Sequence, residues 1–140
     1  MARLDLITAR IMNERFGKDS LIALATVNEG KPSVRTVNAL YRGGAFYVIT
    51  DARSGKIRDI EKQADVAVSG EWFTGSGIGE NLGWVCLTKN DRIYQELRNA
   101  FASWINNGHM NEKNENTCIL KVQLTKGTLF SNGKRYDIEF

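Results

Sequence analysis

The sequence predicts a mainly β fold, antiparallel, with α-helices flanking the sheet, and three observations carry that prediction. Short apolar, β-branched runs recur along the chain with turn formers between them. Two of those turns, Gly43-Gly44 and Asn132-Gly133, are the residue pairs that two-residue hairpins demand, because both positions need positive φ. Interspersed with the strands are three stretches whose apolar residues recur at helical spacing.

The elements follow in chain order. Ala2 to Phe16 is predicted as an amphipathic helix with Leu4, Ile7 and Ile11 on one stripe, Asp5, Arg10, Glu14 and Arg15 off it, and Gly17 as its stop. Leu21 to Val27 reads as a strand that ends at the turn formers Asn28-Glu29-Gly30-Lys31-Pro32, and Ser33 to Tyr41 as the next. Arg42-Gly43-Gly44 turns the chain into a third strand, Ala45 to Thr50. Ser54 is a good N-cap for a helix that carries Ile57 and Ile60 and ends near Gln63. Asp65 to Phe73 is the following strand, closed by Glu71-Trp72-Phe73. The glycine-rich stretch from Thr74 to Gly83 tempts a nucleotide-loop reading, but the residues three after Gly77 and Gly79 are Glu80 and Leu82, and no Gly-Lys-Ser/Thr follows. It is expected to be a flexible connection, with mobility that suits a lid, leading to a strand from Gly83 to Leu87. Asn90 or Asp91 caps a helix with the stripe Ile93, Leu97, Phe101 and Trp104, and Gly108 closes it. Thr117 to Leu124 is a strand, Thr125-Lys126-Gly127 a turn, and Thr128 to Phe130 pairs with Arg135 to Phe140 across Asn132-Gly133. No internal repeat or low-complexity segment interrupts this order.

Composition narrows the function classes. With 140 residues, 42% hydrophobic and 25% charged, the expectation is a single domain over 1–140, long enough to bury roughly 70% of its unfolded surface. The net charge of +3 comes from 19 Lys and Arg scattered among 16 acids, which argues against a dedicated nucleic-acid surface and allows an anionic cofactor. No apolar run is long enough to span a membrane, and the amino terminus lacks the h-region of a signal peptide, so a cytoplasmic location is expected. Cys86 and Cys118 each sit in an apolar, strand-like run without CxxC spacing and are expected to be reduced core residues. The lone histidine, His109, lies in a polar loop with no partner for metal binding or for acid–base catalysis.

One strand carries an oddity. Arg35 shares a face with Val37 and Ala39 by the period-2 rule, and a guanidinium there must reach solvent or meet an anion. Lys56 falls in the first turn of the helix capped by Ser54, where free N–H groups and the helix dipole already favour negative charge. A lysine there does nothing for helix stability. With a phosphate present, Arg35, Lys56, the Ser54 hydroxyl and the first-turn N–H groups converge on one anion; the alternative is that Arg35 and Lys56 are two solvated surface charges.

The pattern Arg35-Thr36-Val37, then Tyr47-Val48-Ile49-Thr50, then Ser54-Gly55-Lys56 resembles the flavin-binding region of the pyridoxamine 5'-phosphate oxidase-like split-barrel family, and the resemblance covers most of the chain. It implies a six-stranded antiparallel Greek-key split β-barrel, a homodimer and FMN at the dimer interface. It further implies that Arg35 and Lys56 hold the FMN phosphate, that Thr50 and Ser54 add hydroxyl contacts, and that the backbone at Thr36, Val37 and Asn38 faces the isoalloxazine. Two departures set the chain apart. Gly55 stands where the oxidases carry a second arginine, a contact that Arg53 would have to replace, and the chain ends Gly133-Lys134-Arg135-Tyr136-Asp137-Ile138-Glu139-Phe140 without the oxidases' Arg-Leu-x-Pro segment. The expected function is a flavin-dependent oxidoreductase that is not a true pyridoxamine phosphate oxidase; the alternative is a non-enzymatic module that stores or senses FMN, a deazaflavin or haem. Trp72 and Trp84 flank the glycine-rich stretch and are weighed as ring partners or, more simply, as core or interface filler. Phe130, Tyr136 or Phe140 near the last hairpin is expected to be exposed and to mark the partner surface.

Overall fold

The computed structural model describes residues 2–3 (main chain only), 5–108 and 110–140; Leu4 and His109 lie outside the described residues. The chain runs β1 (Ala2–Arg3), α1 (Leu6–Phe16), β2 (Ser20–Asn28), β3 (Lys31–Arg42), β4 (Ala45–Asp51), α2 (Gly55–Lys62), β5 (Asp65–Gly70), β6 (Phe73–Trp84), α3 (Asp91–Ala100), β7 (Thr117–Ser131) and β8 (Lys134–Glu139). In the order β2-β3-β4-β7-β6-β5 the strands close into a six-stranded barrel, antiparallel at each seam, and β8 then β1 extend the sheet from β7. The barrel is split between β3 and β4, which pair only from Leu40↔Tyr47 to Arg42↔Ala45, leaving residues 31–39 with one backbone edge free among the described residues. Pro32 sits on that stretch, where the edge has no ladder for it to break.

Two apolar clusters follow from the strand alternation. Phe46 and Val48 of β4 point into the barrel with Ile22, Leu24, Leu120 and Val122, and the openings are filled by Met12 and Phe16 of α1 and Ile57 and Ile60 of α2. Tyr47 and Ile49 point outward, where they meet Leu40, Val85 and Ile119 beneath Tyr94 and Leu97 of α3. A strand covered on both faces loses its alternation, which is why Phe46-Tyr47-Val48-Ile49 reads as one apolar run.

Several expectations are corrected. The stretch Thr74–Gly83 is no loop: it lies within β6, a 12-residue strand. Its glycines answer to crowding, since a Cβ at Gly75 would come within 2.9 Å of the Phe73 ring, at Gly77 within 2.5 Å of the Gln123 carbonyl oxygen and at Gly79 within 2.9 Å of Ile60. The preceding strand stops at Gly70, Glu71-Trp72 form the hairpin turn, and Phe73 opens β6. β6 ends at Trp84, so Gly83–Leu87 is not a separate strand, and Cys86 is exposed in the turn that follows, whereas Cys118 is buried in β7. The turn expected at Thr125-Lys126-Gly127 is a bulge: Ser76 pairs with Lys126 and Gly77 with Leu124, so β7 runs through with Thr125 left over.

The helices shift as well. α1 starts at Leu6, and its inward stripe is Thr8, Met12 and Phe16, while Leu6 and Ile7 are 88% and 60% exposed. Gly17 caps it at an ordinary φ of −77°, so no left-handed stop operates; a Cβ there would run into the Asn13 carbonyl. α3 ends at Ala100, and its stripe continues through the turns of residues 101–108 as Phe101 and Ile105, with Ile93 and Trp104 only flanking it. At the last hairpin only Phe130 is largely exposed: Tyr136 and Phe140 pack on the barrel, Phe140 edge-on to Phe73 at 6.1 Å.

Candidate functional site

Arg35 stands opposite Leu24 in the β2–β3 ladder, between the pairs Ile22↔Val37 and Thr26↔Ser33. Directly opposed residues share a face, so its side chain enters on the barrel side. Its Nη1 donates to Thr26 Oγ1 at 2.7 Å and to the Leu24 carbonyl at 3.4 Å. The Thr26 hydroxyl, fully buried, donates to Asp59 Oδ2 at 2.7 Å, and Arg35 Nη2 lies 3.8 Å from that same oxygen.

Asp59 arrives on α2, the helix whose Ile57 and Ile60 fill this end of the barrel. The same helix carries Lys56, partly buried, whose Nζ donates to Thr50 Oγ1 at 2.7 Å. Among the described residues no carboxylate lies within ion-pair reach of Lys56. Burial first, and the Arg35 guanidinium second, hold its ammonium below the usual lysine range. Ser54 occupies the N-cap of α2 in extended conformation but makes no capping bond, and its Oγ is buried with no hydrogen-bond partner among the described residues. The first-turn N–H groups of α2 therefore have no side-chain cap. A lysine with no carboxylate in reach, an orphaned buried hydroxyl and a helix start with no side-chain cap fall within three residues of one another, an arrangement that suits an oxyanion.

The remaining expected site residues divide. Gly55 is exposed, and a Cβ there would meet nothing within 4 Å. Arg53 does not substitute for an arginine at that position: it forks onto Asp51, Nε to Oδ1 at 3.1 Å and Nη2 to Oδ2 at 2.9 Å, and this pairing pulls the Asp51 carboxyl down to about 2. Val37 faces the barrel and packs against its cluster, whereas Thr36 is exposed. Asn38 donates to Asp19 Oδ1 at 2.9 Å, and Trp104 donates to the other Asp19 oxygen at 3.0 Å. Neither weighed tryptophan joins the cluster. Trp72 lies by Phe130 and Asn132 at the far end of β7, and Trp84 packs under α3 with its N–H on the Glu112 carbonyl. Of the thiols, Cys118 pairs with Thr50 across β4 and β7 and so lies beside Lys56, with burial raising it to about 11, while Cys86 is exposed elsewhere and is also raised. Sequence reasoning missed Thr26 and Asp59. The available signal was a hydroxyl in the inward phase of β2, where Ile22 and Leu24 precede it.

No family model matches the chain, and no curated protein matches it by sequence. Solved structures match its fold. General stress protein 26 from Bacillus anthracis str. Sterne superposes with a TM-score of 0.69 at 16% identity, over 91% of this chain and 96% of that one. A putative pyridoxamine 5'-phosphate oxidase from Listeria innocua gives 0.67 at 13% identity, over 91% and 98%. An FAD-binding protein from Mesorhizobium loti gives 0.68 at 13% identity, over 89% and 92%. At such identities the likeness is one of architecture, and it covers the barrel and its helices together. The chain has the split β-barrel fold of the pyridoxamine 5'-phosphate oxidase-like proteins.

Proposed function

We propose that the protein binds FMN and is a flavin-dependent oxidoreductase acting on a small molecule other than pyridoxamine phosphate. One observation carries the reading: Lys56, close enough to Arg35 for the guanidinium to depress its pKa, has no carboxylate within ion-pair reach among the described residues, and the Ser54 hydroxyl two residues before it is buried without a partner. A phosphate there would be held by Arg35, Lys56, the Ser54 and Thr50 hydroxyls and the first-turn N–H groups of α2. Gly55, with open space around it, separates the chain from oxidases that place a second arginine at this position. The free edge of β3 at Thr36, Val37 and Asn38 offers backbone donors and acceptors to a planar ring.

Bound flavin supplies hydride or electron transfer. The residues of the chain bind and orient it. Lys56 also has a proton to manage: an anion against its ammonium raises the pKa that burial and Arg35 depress, so phosphate binding and protonation of Nζ favour each other.

The same reading includes a two-fold homodimer. The outward face of β2–β3 sets Leu21, Ala23, Ala25 and Val27 beside Val34, with Leu21 65% and Val34 70% exposed, and an apolar sheet face of this kind marks a partner surface. Light scattering on the loaded protein at micromolar concentration is expected to show a dimer; a monomer would contradict this part. For the cofactor, the visible spectrum of protein purified without added flavin is expected to show the flavin bands, and NADH or NADPH is expected to bleach them within seconds. Colourless protein that takes up no FMN would reject the proposal, and a flavin that no reductant bleaches would favour a storage or sensing role.

A further inference from the structure

The hydroxyl of Thr26 has a more specific task, resting on the reading of Arg35 as a phosphate ligand. A threonine hydroxyl has one proton and two lone pairs. Here the proton goes to Asp59 Oδ2 at 2.7 Å, and a lone pair takes the Arg35 Nη1–H at 2.7 Å. The hydroxyl is thus a spacer between opposite charges. A direct arginine–carboxylate fork closes to about 2.7–2.9 Å, but Arg35 Nη2 and Asp59 Oδ2 stand 3.8 Å apart. Both side chains are largely sheltered, at 26% and 13% exposure, and the Thr26 hydroxyl bonds to both. The consequence falls on the rest of the guanidinium. Nη1 is anchored to Thr26, with weaker approaches to the Leu24 and Ser33 carbonyls, while Nε and Nη2 donate no hydrogen bond to any described residue. That free edge is the one a phosphate can take in bidentate fashion.

We infer that Thr26 is a positioning residue for anion binding: by standing between Arg35 and Asp59 it keeps the guanidinium from locking onto the carboxylate and reserves its free edge for the ligand. Asp59 is then a competitor held at a distance. Valine matches threonine in shape and preserves the β-branched strand residue but lacks the hydroxyl, so in Thr26→Val Arg35 should close onto Asp59 and leave the site.

The test titrates apo-protein with FMN and with riboflavin in wild type, Thr26→Val, Thr26→Ser, Asp59→Asn and the Thr26→Val/Asp59→Asn double variant, with apo melting as the fold control. Thr26→Val should lose about tenfold in FMN affinity, the scale of one charge-assisted contact, with riboflavin affinity unchanged. Thr26→Ser should keep wild-type affinity, and Asp59→Asn should keep it or gain. The double variant should recover the loss, because no carboxylate remains to capture Arg35, a non-additivity that damaged packing would not produce. An unchanged FMN-to-riboflavin ratio in Thr26→Val, a loss that Asp59→Asn fails to relieve, or a loss in Asp59→Asn alone would each overturn the inference. Equal affinity of wild type for the two flavins would instead reject the phosphate reading beneath it.

Discussion

The starts of α1 and α2 pose the same problem, free N–H groups at a helix end, and this chain treats them in opposite ways. At α1, Asp5 accepts from the Thr8 N–H at 2.9 Å while the Asp5 N–H donates to Thr8 Oγ1 at 3.0 Å, a complete capping box that also lowers the Asp5 pKa. At α2, Ser54 is an equally good capping residue by type, yet its hydroxyl caps nothing, and the first turn carries Lys56, whose charge the helix dipole disfavours. The first helix is closed by its own residues. The second has no side-chain cap and carries a lysine in its first turn, where an anion would satisfy both.

The largest expected effect separates the two ends directly. Arg35→Ala and Lys56→Ala should each weaken FMN about tenfold to hundredfold, or ~1.5–3 kcal/mol, in fluorescence titration of the apo-protein. Their effect on the fold should have the opposite sign at Lys56: removing a half-buried ammonium that faces Arg35 should raise the apo melting temperature, as residues kept for binding often cost stability. Next comes the seat of α2. Gly79→Ala puts a Cβ 2.9 Å from the Ile60 side chain, so Ile60 or its helix must give way, at a cost of about 1–3 kcal/mol in denaturant unfolding, and FMN should weaken to the extent that α2 moves. Asp5→Ala, at the closed start, should lower the melting temperature by a few degrees and leave FMN affinity untouched. Arg53→Ala should be silent in FMN titration, since its guanidinium is spent on Asp51.

Acidity and alkalinity sharpen the same contrast. The Asp5 pKa is depressed on folding, so its contribution is present above the unfolded value and is lost as pH falls through the folded one. Lys56 is depressed too, but as a base. Between its folded pKa and 10.5 the unfolded chain holds the proton that the folded chain has released, so this group's contribution to stability rises with pH across that interval. FMN affinity should fall across the same interval, because the ammonium that meets the phosphate is being discharged. A titration of FMN affinity from neutral to alkaline pH that stays flat in wild type would remove Lys56 from the site.

Much of this was legible in the sequence, and the failures have physical causes. Arg35 stood out because a guanidinium in the inward phase of a strand demands a partner, and Lys56 because a helix start disfavours it. The hairpins at Gly43-Gly44 and Asn132-Gly133 were legible because turn chemistry is local. β6 was not, because its glycines are set by what lies across the barrel: Gln123 and Ile60 leave no room for a Cβ, and neither is near in sequence. The α1 stripe is hidden from an aliphatic pattern because its buried positions include Thr8 and leave Leu6 outside. Thr26 and Asp59 escaped for a related reason, since a single hydroxyl and a single carboxylate acquire meaning only when folding brings them to Arg35.

The most direct test of the phosphate site is the affinity of apo-protein for FMN against riboflavin, measured in wild type, Arg35→Ala and Lys56→Ala. The account predicts that wild type prefers FMN by at least about tenfold, that the preference collapses in both variants, and that riboflavin binds all three alike. Equal affinity of wild type for the two flavins, or a preference that survives both substitutions, would contradict it.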